Sequence, residues 1–546
     1  MSRFRRSLLK YLLIMALLIS SLPFVTGCEG SSDALRINLG GNPTTLDPQK
    51  AGAARDLSLV IQLFDGLLGF NQDLSLKPVV ATEVPSTLNG GISKDGLTYT
   101  FNLRDDVTWS DEEPVTAQHF VYSIRRLFHS DTKAPYRSLF YDIANAKTYR
   151  KGEASADDIG VEAIDDYTLR ITLGNPCNSF LQRMALWAVY PLRQDIVEGN
   201  GDEWDKSTES CIGNGPFLLQ EWVTDDHITL EKNPNYWGEK AMLDEVRYSM
   251  YEDAATEYIA YKTGDLDIAR VPLGTEGTMA DNPELISYPR LKTNAVFFDC
   301  AEPPFDNSTL RKALSTAIDR DALVNSVQGG RGSITYSWIP AGMPGYENDY
   351  NQTAGDEFAF DSEQAQDLLA EAGYAEGKGL PDIRLVYSNV GSNPTIAQFI
   401  QGQLEDNLGI SIDVVGVGQA VYWDRVFEEH DEWDLAYISF SSDYPAPDNW
   451  LPDFFATTGA YNAGIAQYSN PVFDNTVASA LAEPDDDVRL DLWQEAEAIM
   501  VQDAPAIFMF NDEMYALKKT SVKGVVSTAM DLYFPGDLFL SQIELS

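Results

Sequence analysis

Leu97-Thr98-Tyr99-Thr100-Phe101-Asn102-Leu103-Arg104 alternates large apolar side chains with polar ones without a break. A period of two predicts a strand with one face on a core and the other toward water. Thr168-Leu169-Arg170-Ile171-Thr172-Leu173 repeats the pattern, and 227–231 alternates again. Gly215 and Pro216 bound a further apolar run, Phe217-Leu218-Leu219, and a helical stretch over 117–128 separates the early strands. Beyond about residue 300 the spacing lengthens to that of helices. Asp306 and Asn307 offer caps, and Leu310, Ala313, Leu314, Ala317 and Ile318 fall on one face before Gly329-Gly330 stops the helix. Residues 363–372 and 488–501 read the same way, with short strands over 383–387 and 411–415 between them. Helix alternating with strand predicts α/β domains around open sheets. A chain of 546 residues exceeds one core, so two or three domains are expected.

The amino terminus carries an address. Arg3, Arg5, Arg6 and Lys10 precede an apolar run over 11–19 that Ser20, Ser21 and Pro23 interrupt. That run is too short to span a bilayer and reads as a removable secretory signal, residues 1–27. It ends in Val25-Thr26-Gly27-Cys28, where small residues before a cysteine resemble a bacterial lipobox. Acylation of Cys28 would tether the chain to a membrane and leave its domains in water. The formal charge of −44 disfavours nucleic acid and anionic lipid as partners. Cys177, Cys211 and Cys300 remain; an oxidising exterior permits one disulfide. Cys177 follows one expected strand and Cys211 precedes the next, which favours that pair, with separate thiols as the alternative.

Catalytic and metal signatures are missing. His119, His129, His227 and His430 are dispersed, and no His-Glu-x-x-His, paired Cys-x-x-Cys, Gly-x-Ser-x-Gly or phosphate loop with lysine occurs. Asp485-Asp486-Asp487 stands before an expected helix, where negative charge favours the helix terminus without any calcium. No enzyme activity, cofactor or metal is expected.

Leu46-Asp47-Pro48, Leu63-Phe64-Asp65-Gly66-Leu67-Leu68, Tyr99 to Arg104 with Val107-Thr108-Trp109-Ser110, and Pro114-Val115-Thr116-Ala117 follow one another in order. Gly213-Asn214-Gly215-Pro216-Phe217, Asn233-Pro234-Asn235-Tyr236-Trp237, Pro303-Pro304-Phe305-Asp306 with residues 311–320, and 368–374 continue the series. In this order and spacing the chain resembles the peptide class of bacterial extracellular solute-binding proteins that serve ABC importers. The resemblance implies an α/β, two-lobed periplasmic-binding-protein-like fold with hinge strands and an additional inserted domain. It places the first lobe at 28–64, 191–291 and 513–546, the insert at 65–190, and the second lobe at 292–512. It implies a monomer outside the cytoplasm that binds a peptide ligand and docks on the importer's membrane permease subunits.

Phe440-Ser441-Ser442-Asp443-Tyr444-Pro445 resembles the family's aromatic-x-x-Asp-Tyr segment, whose aspartate pairs with the ligand's α-ammonium group. Asp443, Phe440, Tyr444 and Tyr437 are therefore expected at the ligand, with Tyr136 reaching it from the insert or else serving as an ordinary half-buried tyrosine. Phe440 replaces the tryptophan usual there. Peptide backbone is expected to bind as an added strand, which gives broad specificity. Some relatives place arginines before this aspartate for a peptide carboxylate. Residues 427–437 carry Glu428, Glu429, Asp431, Glu432 and Asp434 instead, which leaves a fixed carboxylate anchor open and favours longer peptides, basic peptides or a non-peptide ligand. The rival expectations are a non-peptide solute on the same fold, such as an oligosaccharide, metal chelate or haem, and a surface hydrolase or adhesin.

Overall fold

The 97–104 alternation forms the strand Thr98–Asn102 in a computed structural model that describes residues 34–275, 279, 281–346, 354–355 and 357–546. Cys28 and the basic head lie outside the described residues. Tyr99, Phe101 and Leu103 point into a core, as the period of two requires. Thr168–Thr172 pairs with this strand, and Val161–Asp165 adds antiparallel to complete a three-stranded sheet. Helix Ala117–Phe128 packs against that sheet. His119 closes the helix start, where its Nδ1 accepts the Thr116 backbone N–H at 3.0 Å. That acceptor role needs the neutral ring, and burial followed by the Arg193 charge pushes the His119 pKa down to about 4.

A four-stranded sheet runs in the order Ala34–Asn38, Glu245–Ser249, His227–Lys232, Phe217–Val223, with the first pair parallel and the others antiparallel. Its strands flank the three-stranded sheet in sequence, yet both sheets share one apolar core. Glycine makes the junction possible. A Cβ on Gly213 would sit 2.1 Å from the Leu63 carbonyl oxygen, and one on Gly215 would sit 2.6 Å from that of Gln62. Asn214 fastens the same crossing, donating to the Asp65 carbonyl at 3.0 Å and accepting the Asp65 N–H at 2.9 Å.

A second body is built on a seven-stranded mixed sheet in the order Ile268–Arg270, Ala506–Lys518, Leu285–Phe298, Leu435–Ser441, Ile383–Ser388, Ile412–Val417, with Ser333–Ile334 against Ala506–Lys518. Leu285–Phe298 and Ala506–Lys518 are 14 and 13 residues long and pair antiparallel. Their register breaks between Pro289 and Thr293. On one side of the break Ile268 and Ala516 pack into the amino-terminal core; on the other, Ala295 and Phe297 face one core and Val296 and Phe298 another. Long strands shared by two bodies, with their pairing interrupted between them, are the element that can bend.

Asn307 caps Ser308–Thr316, accepting the Thr309 N–H at 3.0 Å, and Asp485 caps Asp486–Asp503 by accepting from Asp487 and Val488. Leu310, Ala313, Leu314, Ala317 and Ile318 are all buried, but the expected run to Gly329 is corrected. The helix stops at Thr316, and Asp319 starts a new turn by accepting the Ala322 N–H. The break lets fully buried Arg320 reach across to donate to the Phe508 and Ser315 carbonyls at 2.7 and 3.0 Å. That guanidinium lies over the Tyr336 ring.

The expected Cys177–Cys211 bridge is also corrected, because both are free, buried thiols. Helical segments Phe180–Arg183 and Gln194–Asn200 intervene between them in the chain. Cys177 packs near Ser179 and Arg183, whereas Cys211 packs near Asp205.

Candidate functional site

Strand Leu435–Ser441 directs alternate residues to opposite faces of the seven-stranded sheet. Ala436, Ile438 and Phe440 share the side of Trp338 and Phe454, and Leu435 and Tyr437 the other. Tyr437 is therefore not at the expected site. It is 3% exposed, and its hydroxyl donates to Asn294 Oδ1 at 2.9 Å. Phe440 is half-buried, with ring centroids 4.8 Å from Phe454 and 4.9 Å from Trp450. It joins these rings in one aromatic cluster on that face of the sheet.

Past the strand, the Ser442 N–H donates to the Leu291 carbonyl at 2.8 Å and turns the chain. The Asp443 N–H donates to Asn449 Oδ1 at 2.7 Å, and Asn449 Nδ2 approaches Asp443 Oδ2 at 3.4 Å. That long contact is the one side-chain donor found for the Asp443 carboxylate among the described residues. Burial raises the Asp443 pKa to about 6; Asn449 opposes the rise, Asp453 adds to it, and Arg183 opposes it. The side chain nonetheless remains half-exposed. A carboxylate stripped of much of its hydration yet reachable by water keeps unused lone pairs that suit a donor brought from outside.

Tyr136, on Pro135–Phe140 of the amino-terminal body, feels the Asp443 charge. Its ring stands edge-on to Trp187, with centroids 5.2 Å apart at 89°. Burial, then the Asp443 charge, then Tyr461 push its pKa up to about 12. Tyr461 lies on the other body, stacks on Phe454 with centroids 4.7 Å apart, and is 36% exposed. Burial and then the charges of Asp443 and Asp453 raise its pKa too. Asp443 thus acts electrostatically on tyrosines from the two bodies, and it follows Phe440 of the aromatic cluster by three residues.

Tyr444 departs from expectation. It is 2% exposed, its hydroxyl donates to Asp448 Oδ2 at 3.2 Å, and Arg183 covers its ring. It is packed into the amino-terminal core and presents no face to a ligand. Sequence reading missed Asn449, Tyr461 and Trp187. Ala185-Leu186-Trp187-Ala188 reads as plain core, and Tyr461 stands alone between glycine and asparagine-rich turns.

Asp434 accepts the Arg384 backbone N–H at 2.8 Å, and Glu429 pairs with Arg425 at 3.1 Å, so these acids are engaged within their own body. A cavity of about 410 Å³ is lined by Asp448, by Asn178, Gln182 and Leu76 on one body and by Pro445, Leu490 and Trp493 on the other. Another of about 470 Å³, walled by Tyr122, Arg125 and Glu198, contains none of Phe440, Asp443, Tyr136 and Tyr461. Among the described residues no group of His, Cys, Asp and Glu could hold a metal ion, and no helix is long and apolar enough to cross a membrane.

The family model for bacterial extracellular solute-binding proteins, family 5, matches residues 75–462. The chain is 29% identical to the oligopeptide-binding protein OppA of Bacillus subtilis, over 98% of this chain and 99% of that one. It is 28% identical to the periplasmic oligopeptide-binding protein OppA of Escherichia coli, over 86% of this chain and 85% of that one. Among solved structures, the unliganded open form of the periplasmic murein tripeptide-binding protein MppA superposes with a TM-score of 0.79 at 27% identity, covering 94% of this chain and 97% of that one. The Haemophilus influenzae OppA complex with the peptide RPPGFSPFR gives 0.73 at 26% identity, covering 94% and 99%.

Proposed function

This chain belongs to the bacterial extracellular solute-binding proteins of family 5, and from that premise we propose that it captures oligopeptides between two lobes and delivers them to an ABC importer. One observation carries the reading: the Asp443 carboxylate, low in hydration and short of protein donors, is felt electrostatically by tyrosines of both bodies. An α-ammonium group supplies the missing positive charge and three donors. Phe440, Phe454 and Tyr461 offer apolar surface to the first residues of the peptide, and Tyr136 closes over it from the opposite side. With no arginine in 427–437 to take a carboxylate, peptide length is left open at the far end.

The lobe boundaries follow the same reading. The four-stranded sheet takes strands from both sides of the three-stranded one in sequence, which supports an insert at 65–190 within a first lobe of 28–64, 191–291 and 513–546. The register break at Pro289 and Thr293 supports a second lobe of 292–512.

Calorimetry with a short peptide tests the site. Asp443→Ala is expected to weaken binding at least about tenfold, the scale of a buried ion pair that loses one member; unchanged affinity removes the assignment. The protein acts outside the cytoplasm as a monomer, without catalysis, held to the membrane by lipid on Cys28. Intact-mass measurement of chain extracted from membranes should start at Cys28 and exceed the polypeptide mass by the acyl groups. An unmodified amino terminus there would remove the anchor.

A further inference from the structure

Tyr444 and Ala446 follow a strand of the second body, yet they pack into the core that contains Phe180, Met184 and the three-stranded sheet. Arg183, at the end of Phe180–Arg183, receives them. Its guanidinium carbon lies 4.9 Å from the Tyr444 ring centroid, and Nη2 lies 3.1 Å from Asp448 Oδ2. Ser179 Oγ donates to the same carboxylate. On its own side Arg183 donates to Asp142 Oδ2 at 2.8 Å, the Leu139 carbonyl at 2.9 Å and Ser179 Oγ at 3.2 Å. The Arg183 and Asp448 side chains are only 13% and 8% exposed. Asn178 extends the seam by donating to the Leu481 and Glu483 carbonyls at 3.0 and 2.8 Å.

Parting the two bodies would affect them unequally. Arg183 would keep Asp142, Leu139 and Ser179, whereas Asp448 would lose both Arg183 and Ser179, and the Tyr444 ring would enter water. The cost falls on the 443–448 loop, whose first residue is the candidate ligand carboxylate. Resting on the peptide-capture reading, we propose that Arg183 is a positioning residue that holds the 443–448 loop across the seam, so that Asp443 takes its binding geometry only while the two bodies touch. Its charge acts in the same direction. Asp453 and Tyr461 on the second body and Tyr136 on the first face Asp443 along with Arg183, the one cation of that group, and Asn449 is the neutral donor. Arg183 therefore favours the ionised carboxylate that an ammonium group needs.

Calorimetry with tetra-alanine, bearing a free or an acetylated amino terminus, across a pH range centred on about 6 separates positioning from general damage. Arg183→Met is expected to weaken the free peptide about tenfold or more and to move the pH midpoint of its affinity upward. Arg183→Lys should restore the midpoint but not the full affinity, because an ammonium keeps the charge without the planar fork. Wild-type affinity in Arg183→Met overturns the proposal, and so does weaker binding with an unmoved midpoint. Should Arg183→Met fail to fold, Asp448→Asn keeps the loop's shape while removing the charge that Arg183 holds. It should weaken the free peptide similarly, and unchanged affinity there overturns the proposal as well. Equal binding of acetylated and free peptide by the wild type sinks the ammonium reading and this proposal together. Preference for the free peptide with an indifferent Arg183→Met sinks this proposal alone.

Discussion

Asp443 shows how a single side chain can be costly to the empty protein and useful to the loaded one. Its surroundings remove water and return one long hydrogen bond from Asn449, so the proton is held up to about pH 6. In the proposed site an ammonium ligand would bind the ionised form, and the proton would compete for the same oxygens. Affinity should accordingly be full above about pH 6 and fall as pH drops through that value. Well below it the loss approaches about tenfold per pH unit, the limit for one linked proton. Calorimetry on the wild type at several pH values checks this; a flat profile would mean that Asp443 does not meet the charge. The segment that marks Asp443 is legible in the sequence, but its neighbours are not. Tyr461 and Trp187 come from distant stretches with no pattern to distinguish them from core, and only the fold brings them toward Asp443.

Alternation along strands was readable wherever one face meets a core and the other meets water, as at Tyr99, Phe101 and Leu103. The resemblance, not alternation, put Tyr437 at the ligand, and strand Leu435–Ser441 instead buries it, because the strand lies inside the sheet with cores on both faces. The 308–327 region shows a second limit. Its apolar spacing is continuous, yet Asp319 breaks the helix and Arg320 spends its donors on carbonyls of neighbouring elements, a tertiary demand invisible in the spacing. Glycine is more informative. Gly213 is required by the close approach of the Leu63 carbonyl, which no flexible side chain can relieve. Gly213→Ala is expected to destabilise the fold by about 2 kcal/mol or more through backbone displacement. Thermal melting should register this as a fall of several degrees; an unchanged midpoint would show that the junction has room to move.

At the scale of the molecule, two bodies share the strands Leu285–Phe298 and Ala506–Lys518 and meet again at the Arg183–Asp448 seam, whose loop begins at Asp443. A ligand gripped from both sides should draw them together. Small-angle scattering should then report a smaller radius of gyration with saturating peptide, and an unchanged radius would argue for a preformed pocket. Local patterning by itself determined the strands and helices, and with them an α/β chain. The ordered series of short motifs added the expectation of two lobes and the aspartate to watch, while the first residues supplied the expectation of export. Tertiary structure alone decided that Tyr437 and Tyr444 are buried, that Cys177 and Cys211 are unpaired thiols, and that Arg183 reaches across the seam. Periodicity records how each residue stands to its own element, whereas contacts between elements hundreds of residues apart depend on how whole sheets and loops come to rest against one another.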